Sequence, residues 1–213
     1  MTGVQTCALP IYVYHSVGVS PSEVANPGKD WELQIEEGAR MDRVVAIGEI
    51  GLDYYRKFGS KDTQIELFIR QLDLANRLDK PVIIHNRDAG GDVMEILRER
   101  IPRKGAVLHC YSEDWSYARE ILELPVYISF AGNVTYRNAR NLHETAKNMP
   151  LERMLIESES PFMVPAAYRG KRNRPAYLEE TAKFIAELRE EPLEEVSETL
   201  FQNSLRFFGI DGK

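Results

Sequence analysis

The chain has 213 residues, 43% of them hydrophobic, which suits one globular domain with a sizeable core. Its formal net charge of -6 and sequence pI near 5.4 exclude non-specific nucleic-acid affinity spread over the whole surface, but leave room for a local basic patch. Two cysteines, Cys7 and Cys110, exclude a disulfide scaffold and point to a reducing, cytoplasmic setting. No apolar run approaches the roughly 18 residues that span a bilayer, and the start lacks the basic and apolar regions of an export signal, so no membrane partner is expected.

Residues 1–11 have no amphipathic period and are predicted to be a tail. Residues 12–19 (YVYHSVGV) alternate like a short strand. His15 lies inside it and reads as a structural histidine, whereas Ser20 holds the strand-end position where chemistry would sit. The polar segment 22–43 has a turn at Pro27-Gly28 and a short helix with Trp31, Ile35 and Ala39 on its apolar side. The stretch that organises the chain follows, VVAIGEIGLDYY over 44–55. Its β-branched, uncharged start reads as a strand buried on both faces and ending at Glu49, with Gly48 and Gly51 turning the backbone and leaving room for a close neighbour. A carboxylate at the mouth of a buried strand is costly unless it is paired, hydrogen-bonded or bound to metal. Asp53 is expected to hold the turn by accepting from loop amides.

Ile65, Phe68, Ile69, Leu72 and Ala75 recur at helical spacing over 63–78. The strand PVIIH then ends at His85, and Asp92 is predicted to cap the next helix, whose Val93, Ile96 and Leu97 face the sheet. AVLH ends at His109, before a helix over 114–124 that buries Trp115, Ala118, Ile121 and Leu122. VYISF ends at Phe130, before a helix with Ala139, Leu142 and Ala146 on one side. Met154-Leu155-Ile156 leads into Glu157-Ser158-Glu159, and two helices near 175–190 and 194–208 close the chain.

Strand, loop and helix units in this order predict an α/β fold of parallel strands. GEIGLD lacks the GxGxxG order, so a nucleotide-binding doubly wound sheet is disfavoured against a TIM-type (β/α) barrel, whose chemistry sits at the ends of several strands. Six strands are counted where a closed barrel has eight, and the barrel is therefore expected to be incomplete.

Parallel strands would bring Glu49, His85, His109 and Glu159 to one end. Two imidazoles and a carboxylate form a three-ligand set for a divalent ion such as Zn²⁺ or Mn²⁺, with Glu159 entering a second ion's shell or positioning water. Cys110 is read as a core thiol. Arg169, Lys171, Arg172 and Arg174 form the clearest basic patch and, with Arg87, could hold an anionic substrate by its phosphates. Tyr111 and Phe162 are weaker candidates for stacking on bases.

VVAIGEIGLDYY, PVIIHNRDA, AVLHCYSED, YISFAGNVTYRNA, LIESESPFMVPAAYRGKRNRPAYL and QNSLRFF together resemble the TatD family of metal-dependent deoxyribonucleases over most of 12–208. The resemblance implies a TIM-barrel hydrolase that cleaves DNA phosphodiesters through a metal-activated water, often as an exonuclease, with two divalent ions (Mg²⁺, Mn²⁺ or Zn²⁺). By this correspondence Glu49 is the bridging carboxylate and His85 and His109 are ligands of one ion. Glu159 stands where the family's ETDSP-like motif has aspartate. The family's N-terminal HxH motif is absent, and Gly18-Val19-Ser20-Pro21 matches its GxHP loop with serine in place of histidine. The opening MTGVQTCALPI does not resemble the family start and reads as vector or adapter sequence. Residues 12–213 are accordingly expected to be a partial hydrolase domain that begins near the third strand, with one ion or none and with barrel edges open to self-association. The alternatives are a hydrolase of small phosphoesters or carbonyl substrates, and an inactive metal- or nucleic-acid-binding remnant.

Overall fold

A computed structural model describes residues 13–210; the predicted tail at 1–11 and Cys7 lie outside them. Six strands form one sheet in chain order, every neighbouring pair parallel. They are β1 (His15–Val17), β2 (Val44–Asp53), β3 (Val82–Arg87), β4 (Ala106–Leu108), β5 (Val126–Phe130) and β6 (Met154–Ile156). Strand order equal to chain order, with a helix between each successive pair of strands, is the winding of a (β/α) barrel and agrees with the predicted class.

The helices are α1 (Trp31–Ala39), α2 (Lys61–Arg77), α3 (Gly90–Glu99), α4 (Trp115–Ile121), α5 (Arg140–Asn148), α6 (Leu178–Arg189) and α7 (Leu193–Phe208). Their apolar stripes fall where the spacing placed them. Trp31, Ile35 and Ala39 of α1 are buried, as are Phe68, Leu72 and Ala75 of α2 and Val93, Ile96 and Leu97 of α3. All of these join Ile47, Ile50, Leu52, Ile84, Leu108 and Ile128 of the strands in one core. Ser60 caps α2, its hydroxyl accepting from the Thr63 amide at 3.1 Å, and Asp114 caps α4 by accepting from Tyr117 at 3.0 Å. Val107 and Leu155 belong to a second cluster with Phe207 of α7, against which Ile83, Tyr127 and Phe208 pack. Alternation along a strand puts Ile83, Val107 and Tyr127 on the face opposite Ile84, Leu108 and Ile128.

Several expectations are corrected. β1 is shorter than 12–19: Gly18 packs against Gly48, and the Val19 peptide bonds to the Gln71 side chain instead of a neighbouring strand. His15 begins that strand, and its amide donates to the Arg43 carbonyl at 2.9 Å. β2 does not end at Glu49. It continues to Asp53, and its pairing with β3 shifts between Ile47 and Ile50. Asp92 lies in the first turn of α3 and does not cap it. The capping position is held by Ala89, and Asp92 instead accepts from Tyr54 Oη at 2.5 Å and pairs with Lys61 at 2.8 Å.

Candidate metal centre

The shift in β2 is what aims Glu49. Ile47 pairs with Val82 and Ile50 with Ile84, so β2 spends one residue more than β3 across this interval, a bulge that bends the strand and re-aims a side chain. Close approach to β3 requires the two glycines. An added Cβ on Gly48 would lie 2.6 Å from Ile83 Cβ, and one on Gly51 2.1 Å from the His85 carbonyl oxygen. The predicted close neighbour is thus the adjacent strand.

Three side chains meet beyond the bulge. Glu49 Oε1 lies 2.7 Å from His85 Nδ1 and 3.3 Å from His109 Nε2. The two imidazole nitrogens are themselves 3.3 Å apart. His85 comes from within β3, and His109 is the first residue past β4, where its amide still donates to the Ile84 carbonyl. Their side chains are 40%, 23% and 12% exposed for Glu49, His85 and His109, so the site opens to solvent at one side. The two histidine nitrogens and the carboxylate oxygen could hold a divalent cation, since all lie within 4.8 Å of one another.

A second acidic group adjoins them. Glu157, the first residue past β6, accepts through Oε1 from the Cys110 amide at 3.1 Å and sits 3.2 Å from His109 Nδ1. Glu159 is farther, 4.0 Å from the same nitrogen, with φ at +52°. His109, Glu157 and Glu159 form a second set of potential ligands. Sequence reasoning chose Glu159 and passed over Glu157. The signal that marks His109, first place after a buried strand, marks Glu157 as well.

The charges follow from this crowding. Burial pushes the Glu49 carboxyl up, but hydrogen bonds from His109 and His85 outweigh it and hold the group far below the usual carboxylate range. Burial disfavours a charged His109, yet Glu157 and Glu49 raise its pKa to about 10. Glu159 is raised by burial and further by Glu157 and Glu49. Burial and the same three carboxylates push the Cys110 thiol up, which disfavours the thiolate a nucleophile needs; the residue is half-buried and belongs to neither core cluster, in place of the expected core thiol.

Asp53 does hold the turn as expected, Oδ1 accepting from the Arg56 amide at 2.8 Å. Its other oxygen has a partner that the sequence did not announce, His85 Nε2 at 3.1 Å.

The basic candidates divide. Arg87 ends β3 with its guanidinium 4.1 Å from the centre of the Tyr55 ring. Arg169 lines a cavity of about 520 Å³ with Tyr136, Arg137, Asn138 and Ala166, between the loops that follow β5 and β6. Those loops are tied together by Tyr136 Oη donating to the Val164 carbonyl and the Ala166 amide donating to Thr135. Lys171 lies over the Tyr168 ring, itself stacked on Tyr177, and Arg172 and Arg174 are exposed on either side of buried Asn173. Asn173 clamps the loop by donating to the carbonyls of Ser158 and Phe162. Phe162 is exposed, whereas Tyr111 is buried against Phe130 with its hydroxyl donating to the Asp114 carbonyl, which removes it as a stacking platform. Ser20 bonds to Ser22 and belongs to neither ligand set.

The family described as TatD related DNase matches residues 4–209. The chain belongs to the TatD family. It is 42% identical over 203 residues to YcfH of Escherichia coli (strain K12) and 39% identical over 201 residues to YabD of Bacillus subtilis (strain 168), both named uncharacterized metal-dependent hydrolases. The alignments cover 93% and 94% of this chain and 75% and 79% of those proteins. Among solved structures, the TatD homolog YjjV of Escherichia coli superposes with a TM-score of 0.84 at 29% identity, covering 93% of this chain and 77% of YjjV. A TatD family hydrolase from Entamoeba histolytica superposes at 0.83 with 22% identity, a likeness of fold. This TatD chain is therefore a metal-dependent hydrolase with the TIM-barrel type of α/β fold. Among its described residues no helix is long and apolar enough to cross a membrane.

Proposed function

We propose that this chain hydrolyses DNA phosphodiester bonds at the Glu49, His85 and His109 centre. The observation that carries the reading is the convergence of one carboxylate oxygen and two imidazole nitrogens from β2, β3 and β4 at separations of 2.7–3.3 Å. A divalent cation held there supplies Lewis-acid polarisation of a phosphoryl oxygen and lowers the pKa of water.

The chain's own groups take the remaining roles. Glu159, whose carboxyl is raised by burial and by the neighbouring carboxylates, would serve as the base that accepts a proton from the attacking water. Arg169 and Arg137 line the cavity between the loops of β5 and β6 and would hold the phosphates that flank the scissile bond, with Lys171, Arg172 and Arg174 following Arg169 in sequence and Arg87 at the end of β3 as further candidate phosphate contacts. Phosphate contacts of this kind position a strand without reading its bases, so cleavage is expected to be insensitive to sequence. The arginine-lined cavity and the family's description as a DNase favour a polyanionic substrate over a neutral carbonyl compound.

Time-resolved cleavage of end-labelled single-stranded DNA tests the reading, with chelator or with Mg²⁺ or Mn²⁺ added. Metal-dependent shortening of the strand is expected, falling below detection in the double variant His85→Ala/His109→Ala. Cleavage that survives chelation or the double substitution would place the chemistry elsewhere. A folded, metal-loaded chain that cleaves a small phosphodiester but not DNA would assign the substrate to the small-molecule class.

A further inference from the structure

We infer that Asp53 and Glu157 are positioning residues for the two histidines, each fixing which ring nitrogen is free for a cation. This inference rests on the reading of Glu49, His85 and His109 as a cation site. The geometry is the same on both sides. His85 turns Nδ1 toward Glu49 and has Nε2 at 3.1 Å from Asp53 Oδ2. His109 turns Nε2 toward Glu49 and has Nδ1 at 3.2 Å from Glu157 Oε1.

An ionised carboxylate accepts only, so the nitrogen facing it must carry the hydrogen. That leaves His85 Nδ1 and His109 Nε2 as the atoms that face Glu49 and that each offer a lone pair to a cation once the ring gives up its second proton. Three acceptors facing one another at 2.7–3.3 Å repel unless a proton or a cation lies among them. The two rings thus use opposite nitrogens, an asymmetry that the carboxylates behind them explain.

Both carboxylates are themselves anchored. Asp53 is 2% exposed, its Oδ1 accepts from the Arg56 amide, and its backbone N–H and C=O are both held by the Gln64 side chain. Glu157 accepts from the Cys110 amide, and its own amide donates to the Phe130 carbonyl of β5. A ligand held by such a partner keeps its ring orientation and tautomer, and loss of the partner typically costs about 10- to 100-fold in metal affinity.

The test compares the full chain with Asp53→Asn and Glu157→Gln, titrating each with Zn²⁺ in competition with a chelator and recording the melting curve of each metal-free form. Long-range ¹H–¹⁵N spectra of the Zn²⁺-loaded wild type report which ring nitrogens carry hydrogen. Affinity is expected to fall roughly 10- to 100-fold in each variant, with metal-free melting curves close to wild type and with protons on His85 Nε2 and His109 Nδ1. Asparagine retains an oxygen for the Arg56 amide, and Glu157→Gln stands as the independent variant should Asp53→Asn fold poorly. Unchanged affinity in a folded variant, or the reverse pair of tautomers, would overturn the positioning role while leaving the cation site in place. A wild-type chain that takes up no Zn²⁺ would instead remove the cation site, and the inference with it.

Discussion

Gly51 shows how narrowly single residues define the centre. Its φ is +130°, and the position a Cβ would take lies 2.1 Å from the carbonyl oxygen of His85, the residue with which it pairs across β2 and β3. Alanine there must either separate the two strands or rotate a peptide that bears on a candidate ligand. Gly51→Ala is expected to destabilise the fold by at least about 3 kcal/mol and to abolish cation binding by displacing His85. Gly91 supplies the control, because an added Cβ meets nothing within 4 Å and the residue lies inside α3. Gly91→Ala should stabilise by up to about 1 kcal/mol. Urea midpoints of the two variants measure both effects, and equal midpoints would contradict the packing account.

Among the elements, α2 does more than bury its apolar stripe. Gln64 and Gln71, two turns apart, each grip the backbone N–H and C=O of one residue, Asp53 at the end of β2 and Val19 beyond β1. Gln71 accepts from the Val19 amide at 2.7 Å and donates to the Val19 carbonyl at 3.0 Å; Gln64 does the same for Asp53 at 2.8 and 3.1 Å. All four contacts are buried, so removing an amide strands a donor and an acceptor without water. Gln64→Leu is therefore expected to cost about 2–4 kcal/mol, with faster hydrogen exchange at the Asp53 amide as its local signature. Unchanged exchange there would mean that the strand end is held by other contacts.

These glutamines mark where the sequence stops being legible. The α2 stripe of Phe68, Leu72 and Ala75 could be read from its 3.6-residue period, because apolar burial is periodic and needs no knowledge of the partner. A glutamine on a helix looks solvent-facing unless the strand peptide it meets is known. Glu49, His85 and His109 could be read because each stands out as a polar residue in or just after an apolar run. Asp53's contact with His85 could not, since it depends on β2 continuing through a bulge that no local pattern announces. Glu157 and Glu159 are two residues apart, and what separates their roles is the closer approach of Glu157 to His109 and its bond from the Cys110 amide, neither of which a local pattern announces.

At the scale of the whole molecule, the order of the sheet brings these residues together. Six parallel strands in chain order place the ends of β2, β3, β4 and β6 on one side, so residues as far apart as Glu49 and Glu157 share one nitrogen-rich centre through His109. On the opposite face Tyr127 packs against Phe207, ring centres 5.2 Å apart, so the last helix contributes to the core there. The proposed cation site thus depends on the sheet as a unit. The most direct measurement is anomalous diffraction from crystals of this chain grown with Mn²⁺ or Zn²⁺. A peak within coordination distance of Glu49 Oε1, His85 Nδ1 and His109 Nε2 is the result predicted, and a folded chain with full metal in solution but no peak at those three atoms would contradict it.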